Sequence, residues 1–279
     1  MLVRVWGCRG SLPTPGLTTV RYGGNTSCVE LELDDGSLLV FDAGTGICAL
    51  GKELARRKQR RIRLLLTHLH LDHVEGLRFF APLWDERVEV DIWGPRSPLH
   101  SLARRLARAF SPPLFPIDVS DVPASVRYHD TPREPWTIDG ATISAATVIH
   151  PGPTLGYRIE HQGRAIAYLP DHEPALGGEP AERSVDWLSG GSLASGADLL
   201  IHDGQYSAAE YETRVGWGHS SIDDATSYAQ AVGARRLMIF HHDPAHEDDQ
   251  LDAQAEQVHL IGEDVSAVLA REGMTIEIA

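Results

Sequence analysis

Four side chains that can bind a metal ion follow one short apolar segment, and this spacing constrains the chain more than any other feature. Residues 62–66 have the pattern of a buried strand, and behind them come His68, His70, Asp72 and His73. Alternate residues of an extended chain point the same way, so His68 and His70 can bind one ion while the next two face a second. A single zinc ion takes three or four ligands in total. The cluster therefore favours a site for two metals over a surface patch of histidines without a role.

Two metals need more ligands, and residues of the right type follow three further strand-like segments. They are His150, Asp171 and His241. Each comes just after an apolar run, where a buried polar or charged group is stable only beside a metal or another partner. Any one alone could be a polar turn residue, and His242 is an alternative to His241 as the last ligand. Asp171 has two carboxylate oxygens, which suits a bridge between two ions.

The apolar periodicity predicts short strands with helices between them. Predicted strands cover residues 2–6, 29–33, 38–41, 62–66, 88–93, 143–148, 154–160, 165–169, 199–201 and 237–240. Predicted helices cover residues 47–58, 74–84, 98–110 and 222–232, and a last one from about 247 has apolar residues at helical spacing as far as 269; residues 111–135 are Pro-rich and irregular. Several strands follow one another directly, which indicates packed sheets with helices outside, an α/β layered architecture. No linker or repeat divides residues 1–279, so we expect a single domain.

Composition excludes several classes of partner. The chain has 25 basic and 39 acidic residues, a net charge of −14. Nucleic acids and anionic membranes attract basic surfaces, so neither is expected as a partner. No segment approaches the roughly 18 apolar residues of a transmembrane helix, and the first residues lack the pattern of a signal peptide. The three cysteines are too few for a disulfide framework and fit a reducing compartment, so we expect a cytoplasmic protein.

The segment Thr-His-Leu-His-Leu-Asp-His, with the three downstream residues, resembles the metallo-β-lactamase fold superfamily over nearly the whole chain. The resemblance implies an αββα sandwich with a dinuclear site at one edge of two sheets. It implies that Asp42, in Phe-Asp-Ala-Gly, is the buried carboxylate that holds the histidine loop through backbone N–H groups. It also implies the ligand sets, which are His68, His70 and His150 for one metal and Asp72, His73 and His241 for the other, with Asp171 bridging.

A second motif lies at a predicted helix start. In a Gly-His-Ser-Ser segment, Ser221 and Asp224 have the spacing of a capping box. His219 and Ser220 therefore lie beside free backbone N–H groups, which suit a phosphate oxygen. Upstream, Asp203 could orient a histidine. The alternative is that His219 only caps the helix.

These segments resemble the tRNase Z and phosphonate-pathway cyclic phosphodiesterase branch of the superfamily. That branch has a Gly-His-Ser-Thr-like segment whose histidine contacts phosphate, and a His-Glu-Ala-Thr segment with its acidic partner. This chain departs from the second pattern, because Asp203 stands for Glu and Gly204 for Ala. In the tRNA enzyme a long arm lies between the third histidine and the bridging aspartate. Only 21 positions separate His150 from Asp171 here.

The sequence therefore predicts a metal-dependent hydrolase, a phosphodiesterase for small or cyclic phosphodiesters such as cyclic nucleotides or cyclic sugar phosphates. It would use a hydroxide that bridges two divalent ions, with zinc expected and manganese or iron as alternatives. Asp72 would orient this nucleophile. His219, oriented by Asp203, would protonate the leaving oxygen or neutralise developing charge.

Several alternatives stay open from the sequence. They are a tRNA 3′ endonuclease, a hydrolase of esters, thioesters or lactams, and a non-hydrolytic di-iron sensory or redox module. The expected partners are a small-molecule phosphodiester and, in a homodimer, a second copy of the chain. Arg104, Arg105 and Arg108 either line a substrate rim or form an exposed helix face.

Overall fold

Strands form the centre of the computed structural model, which describes residues 1–261 and 265–279. Within these residues the strands are β1 (Leu2–Gly7), β2 (Cys28–Glu32), β3 (Leu38–Phe41), β4 (Arg61–Leu65), β5 (Glu89–Gly94), β6 (Ser125–Asp130), β7 (Trp136–Ile138), β8 (Ala141–Thr147), β9 (Leu155–His161), β10 (Arg164–Leu169), β11 (Leu199–Asp203), β12 (Arg236–Phe240), β13 (Ser266–Leu269) and β14 (Thr275–Glu277). The first sheet has the order β14-β1-β2-β3-β4-β5-β6, and the second has the order β13-β12-β11-β10-β9-β8-β7. Strands β3 to β6 are parallel in the first sheet, and β10 to β13 are parallel in the second.

Helices flank the two sheets. The α-helices of the described residues are α1 (Ile47–Arg56), α2 (Leu71–Val74), α3 (Leu102–Leu106), α4 (Gly191–Ala194), α5 (Ala208–Tyr211), α6 (Ile222–Ala231) and α7 (Asp248–Ile261). One apolar core lies between the sheets and takes side chains from both, among them Phe41 and Tyr157. A second core joins the first sheet to α1 and α3, and a third joins the second sheet to α6 and α7. This order of layers confirms the predicted αββα sandwich.

The parallel strands bring the candidate site residues to one edge of the sandwich. In the first sheet, β3 ends directly before Asp42 and β4 ends three residues before His68. In the second sheet, β10 leads to Asp171, β11 ends at Asp203, and β12 ends before His241. The carboxyl ends of parallel neighbours lie at the same edge of a sheet, where ligands bind in open α/β folds. The two sheets thus place their functional residues along a shared seam.

Two predicted helices differ in the structure. In the predicted helix over residues 74–84, Val74 ends α2, and two 3₁₀ segments follow, Glu75–Phe79 and Ala81–Trp84. Pro82 has no N–H to donate and cannot continue an α-helical ladder from the first segment. The helix predicted over residues 98–110 is only α3, which begins after Ser101 because that side chain accepts the N–H of Arg104 as a cap.

Predictions near the sheet edges also need correction. Strand β6 lies inside the stretch predicted as irregular, and the short strands β7 and β14 were not predicted. Helix α7 ends at Ile261, and Leu269, assigned to it from helical spacing, belongs to β13. The predicted continuation over residues 262–264 lies outside the described residues. In the part of the chain that the structure describes, no helix is long and apolar enough to cross a bilayer.

Candidate metal centre and active site

The histidines that follow β4 and β8 form the first ligand cluster, which consists of His68, His70 and His150. Nδ1 of His70 lies 3.2 Å from Nε2 of His150. The ring centroids of His68 and His70 are 4.4 Å apart, and those of His68 and His150 are 4.9 Å apart. His70 is exposed, whereas the other two side chains are buried. The cluster is therefore closed on the protein side and open toward solvent.

The second ligand cluster consists of Asp72, His73, Asp171 and His241. Oδ1 of Asp171 lies 3.0 Å from Nε2 of His73, and Oδ2 lies 3.2 Å from Nε2 of His241. The same Oδ2 is 3.7 Å from Nε2 of His68 and 3.8 Å from Nε2 of His150. Asp171 thus lies between the clusters. The structure brings all seven predicted ligands together, and their role as ligands stays a prediction.

Three of these histidines donate a hydrogen bond from the nitrogen that points away from the cluster. The acceptors are Asp42 for His73 (2.8 Å), the side-chain oxygen of Gln205 for His241 (3.0 Å) and the carbonyl oxygen of Gly218 for His150 (2.8 Å). These oxygens can only accept, so Nδ1 carries the proton in each ring. Nε2 therefore faces the cluster, the arrangement in which partners of a metal ligand fix its tautomer.

Asp42 has the supporting position that the resemblance implied, with a different set of contacts. Its carboxylate accepts one backbone N–H, that of Thr67 (2.8 Å), together with the Thr67 hydroxyl (2.9 Å) and the hydroxyl of Tyr168 (3.1 Å). It joins the histidine loop of the first sheet to a strand of the second. Asp42 and His241 have left-handed backbones, with φ of 57° and 62°. Such conformations cost energy and persist where the surroundings determine them.

The buried histidines of the first cluster are neutral, whereas the second cluster contains ionised groups. Burial lowers the pKa of His68 well below its ordinary value, and it also lowers that of His150, so these rings are neutral with free lone pairs. Burial opposes ionisation of Asp171, but the nearby His241 and His73 rings hold the pKa of that carboxyl well below its usual range. The carboxylates of Asp171, Asp72 and Asp42 in turn hold the pKa of His73 well above its ordinary value despite burial. The site is built around buried negative charge that needs a cation.

The donor set fits two divalent metal ions. Nε2 of His68 is buried and has no hydrogen-bond partner among the described residues. A tetrahedral zinc with Zn–N distances near 2.0–2.1 Å keeps its ligand atoms about 3.3 Å apart. The His70–His150 nitrogens are 3.2 Å apart, and those of His73 and His241 are 3.4 Å apart. Lone pairs this close repel unless a proton or a cation lies between them.

His219 lies beside the seven candidate ligands. Its Nδ1 donates to Oδ2 of Asp203 at 2.7 Å, and its ring stacks on His241 with centroids 5.0 Å apart. A ring nitrogen lies within 4.8 Å of ligand atoms of His150 and Asp171. Burial opposes protonation, but the charge of Asp203 raises the pKa of His219 to about 9. Asp203 thus orients a histidine, as expected from the sequence, and keeps it cationic.

Ser220 does not have the predicted phosphate-binding geometry. The residue is completely buried. Its N–H donates to Oδ1 of Asp203 at 3.0 Å, and its hydroxyl donates to the carbonyl oxygen of His172 at 2.6 Å. Both donors are used inside the protein, so Ser220 holds Asp203 in place and cannot contact a substrate phosphate.

Glu173 is a buried acid that the sequence reasoning missed. Its carboxylate accepts the N–H groups of Gly216 (2.8 Å) and Gly218 (2.8 Å) and the hydroxyl of Tyr211 (2.8 Å). Gly218 is in turn the acceptor for His150 and the neighbour of His219. Glu173 therefore holds the loop that sets both histidines. The only sequence signal was an acid two positions after Asp171.

The structure also shows which of the remaining predicted residues lie at the site and which lie outside it. His242 points away from the clusters, and its Nε2 donates to the carbonyl oxygen of Ala270 at 2.7 Å, so His241 is the residue at the site. Arg104 and Arg108 are exposed. Arg105 is half-buried and lines a cavity next to His70.

Ser11 and Gln205 also support the site and were not foreseen. The N–H of Ser11 donates to Oδ2 of Asp72 at 2.7 Å. Gln205 is fixed by its own N–H, which donates to Asp203 at 3.0 Å. Ser11 is distant in sequence from Asp72, as Gln205 is from His241, so no local pattern marks these contacts.

Comparison with known proteins places this geometry in a family. Residues 38–242 match the family described as "Beta-lactamase superfamily domain". Ribonuclease Z from Haloarcula marismortui is 27% identical over 318 residues, which cover 98% of this chain and 96% of that protein. The short form of human tRNase Z superposes with a TM-score of 0.70 and 22% identity over 100% of both chains. A diphosphatase from the PhnP family superposes with a TM-score of 0.70 and 19% identity, covering 100% of this chain and 98% of the other.

The family match spans most of the chain and contains both ligand clusters, Asp42, Asp203 and His219. The solved structures share the fold over its whole length. The chain therefore belongs to the β-lactamase superfamily, and it is a metal-dependent hydrolase with the metallo-β-lactamase fold.

Proposed function

We propose that this hydrolase cleaves small or cyclic phosphodiesters. The observation that carries the proposal is His219, which Asp203 holds beside both ligand clusters although seven other residues already supply metal ligands. A donor at this place suits a phosphoryl group, whose oxygens gain negative charge in the transition state. A diphosphatase of the PhnP family shares the fold.

In this proposal one group of residues binds the metal ions, and another residue transfers a proton. His68, His70 and His150 would hold one divalent ion, and Asp72, His73 and His241 the other, with Asp171 between them. Two such ions, zinc by preference for histidine ligands, lower the pKa of a water and neutralise phosphoryl oxygens when bound. His219 uses Nδ1 for Asp203, so Nε2 is free to donate to the substrate. Its proton goes to the leaving oxygen or stays in a hydrogen bond to a phosphoryl oxygen.

Cleavage of tRNA 3′ trailers is the second candidate, because relatives such as that of Haloarcula marismortui are named Ribonuclease Z. Two observations favour the small substrate. The interval between His150 and Asp171 is filled by β9 and β10, joined by a tight turn at Gln162 and Gly163, so it contains no arm to grip tRNA. The net charge of −14 opposes binding of a polyanion.

Replacement of His219 tests the mechanism. His219→Ala should keep the metal content and the fold, because the residue is no ligand in this scheme. It should lower kcat by roughly 10²–10⁴-fold, the usual contribution of a positioned acid or charge donor. His129→Ala removes a histidine that pairs with Asp91 outside the site and serves as the matched control. Wild-type kinetics of His219→Ala on every phosphodiester would refute the assigned role.

The leaving group separates the two roles of His219. A p-nitrophenolate leaves without protonation, so a general acid matters less for it. If His219 is the acid, the loss in the alanine variant is smaller with bis-(p-nitrophenyl) phosphate than with a cyclic nucleotide. If it stabilises phosphoryl oxygens, the two losses are equal.

A comparison of substrates tests the preference itself. We expect a higher kcat/KM on a cyclic or aryl phosphodiester than on a pre-tRNA with a 3′ trailer, measured with the same metal-loaded protein. Faster trailer cleavage would favour the second candidate. Turnover of lactams or thioesters, without turnover of either phosphodiester, would reject both.

A further inference from the structure

An exposed tryptophan, Trp217, lies on the loop before α6. Its side chain is 59% exposed, although the backbone around it is fixed. The N–H groups of Gly216 and Gly218 donate to the buried carboxylate of Glu173 at 2.8 Å each. The N–H of Trp217 itself donates to the carbonyl oxygen of Arg214 at 3.0 Å. Both glycines have left-handed backbones, with φ of 86° and 87°, which glycine adopts without strain. The loop therefore holds a large aromatic ring in solvent at a defined place.

This place is beside the ligand clusters. A Cβ on Gly218 would lie 2.7 Å from Nδ1 of His150, so the backbone directly after Trp217 contacts the first cluster. One residue further on, a ring nitrogen of His219 lies within 4.8 Å of ligand atoms of His150 and Asp171. Consecutive Cα atoms are only about 3.8 Å apart. The Trp217 side chain is therefore within reach of a group attached to a phosphodiester at the clusters.

The Trp217 ring is not used inside the protein. Other tryptophans have internal partners. The Nε1–H of Trp6 donates to Glu30 at 2.8 Å, and the ring of Trp93 stacks on His129 with centroids 4.6 Å apart. Trp217 has neither a hydrogen-bond partner for its indole nor an aromatic neighbour among residues 1–261 and 265–279. Its faces are thus free to pack against a ligand.

Two more exposed apolar side chains border the clusters. Leu12 follows Ser11, whose N–H donates to Asp72, and Leu71 directly precedes Asp72. Each of these leucines is 61% exposed. Ligand sites combine apolar and aromatic side chains with a few polar groups. A sugar presents hydroxyls that need hydrogen-bond partners, whereas a nucleobase presents two flat faces that suit Trp217 and its apolar surroundings.

We propose that Trp217 stacks on the nucleobase of the substrate, so that the preferred substrates are phosphodiesters of nucleosides and not of sugars without a base. This inference rests on the proposed function, because the phosphodiester must lie at the ligand clusters for its base to reach Trp217. Stacking of a base on an aromatic side chain changes affinity roughly 5–150-fold. The loop backbone is fixed before binding, so little of this gain is lost to ordering it.

Two substrates that differ only in the base provide the test. They are adenosine 2′,3′-cyclic phosphate and methyl ribofuranoside 2′,3′-cyclic phosphate, in which a methoxy group replaces adenine. The metal-loaded wild type should have a kcat/KM at least about tenfold higher for the adenosine compound. In Trp217→Ala this ratio should fall at least about fivefold, and in Trp217→Phe, which keeps an aromatic face, most of it should remain. If Trp217 only held the loop, both substrates would lose the same factor and the ratio would stay.

Trp84→Ala is the matched control. Trp84 is also an exposed tryptophan, and its ring packs near Phe115. It directly precedes Asp85, which pairs with Arg60 just before β4 begins, whereas the ligands follow the end of β4. The control therefore removes an indole at the opposite edge of the first sheet and should keep the ratio.

The outcomes separate this inference from the proposed function. Equal kcat/KM for the two compounds in the wild type, or a ratio that Trp217→Ala leaves unchanged, overturns the inference while the phosphodiesterase activity stands. Turnover of neither compound refutes the proposed function for this class. Stacking is then judged by calorimetric titration of the metal-loaded protein with adenosine 3′-monophosphate. Binding at least about fivefold tighter to the wild type than to Trp217→Ala supports it, and equal affinity or no binding overturns it.

Discussion

The variant Glu173→Ala tests whether a single buried carboxylate holds the loop before α6 in its catalytic position. Glu173 is fully buried and accepts three donors, the N–H groups of Gly216 and Gly218 and the Tyr211 hydroxyl. The same loop carries His219. We expect Glu173→Ala to lower kcat although Glu173 does not touch the clusters, because it positions His219 through the backbone.

The expected magnitude follows from the three hydrogen bonds. A hydrogen bond to a charged group contributes about 1.5–3 kcal/mol. Water enters the opened loop and replaces part of this stabilisation. We therefore expect the substitution to lower the free energy of loop opening by about 3 kcal/mol. Each 1.4 kcal/mol is a factor of ten, so the ratio of ordered to opened loop falls roughly 100-fold, and this factor is the largest loss of kcat expected from the change. Tyr211→Phe removes only one donor, and its loss should be at most about tenfold.

A double-mutant cycle distinguishes positioning from general stability. If Glu173 acts through His219, the variant Glu173→Ala/His219→Ala should be no slower than His219→Ala alone. The assay is kcat on a cyclic nucleotide at saturating metal, with metal content and Tm measured alongside. A lower Tm with unchanged kcat, or losses that add in the double variant, would refute the reasoning.

Three further predictions concern the clusters and the core. His68→Ala should remove most bound metal and most activity together, as measured by elemental analysis and turnover; retention of two ions per chain would contradict its role as a ligand. A Cβ on Gly10 would lie 2.4 Å from Nδ1 of His241, so Gly10→Ala should displace that ring and lower kcat at least tenfold, whereas Gly16→Ala, with only a 3.8 Å contact, should not. Burial lowers the pKa of His202 to about 4, so as the pH falls the unfolded chain takes up a proton before the folded chain does. The free energy of unfolding should therefore fall by up to about 3 kcal/mol between pH 6.5 and 4. An unchanged urea midpoint across this range would contradict the prediction.

The strands that build the site could be predicted because they are buried on both faces. Strands β10, β11 and β12 are nearly continuous apolar runs with a polar residue behind each one. Strand β6 is different, because it forms an edge of the first sheet and is half-exposed, with Arg127 and His129 paired to Asp91 on its neighbour. Its sequence is therefore mostly polar, and for this reason the sequence predicted an irregular segment there. The apolar spacing from α7 into β13 likewise fits one helix, although the structure has two separate elements there.

The positions of the seven candidate ligands could be predicted for a related reason, whereas the supporting contacts of Ser11, Gln205 and Glu173 could not. A histidine or aspartate that directly follows an apolar strand has a buried position and needs a partner there. This pattern can be recognised from the local sequence. The contacts of Ser11, Gln205 and Glu173 depend on which loops the two sheets bring together. For Ser220, in contrast, the local sequence led to a wrong prediction. Its place at a helix start suggested a free N–H group, but the fold supplies Asp203 as the acceptor for that group.

Both ligand clusters are divided between the two sheets, and this links metal binding to assembly of the sandwich. In the first cluster, His68 and His70 come from the first sheet and His150 from the second. In the second cluster, the short helix α2 after β4 supplies Asp72 and His73, while Asp171 and His241 follow strands of the second sheet. A cation in either cluster therefore contacts both layers and stabilises only the docked form. Without it, the buried carboxylates of the seam have only histidine protons to balance their charge, so we expect the candidate metal ligands to weaken the apo fold at this edge of the sandwich.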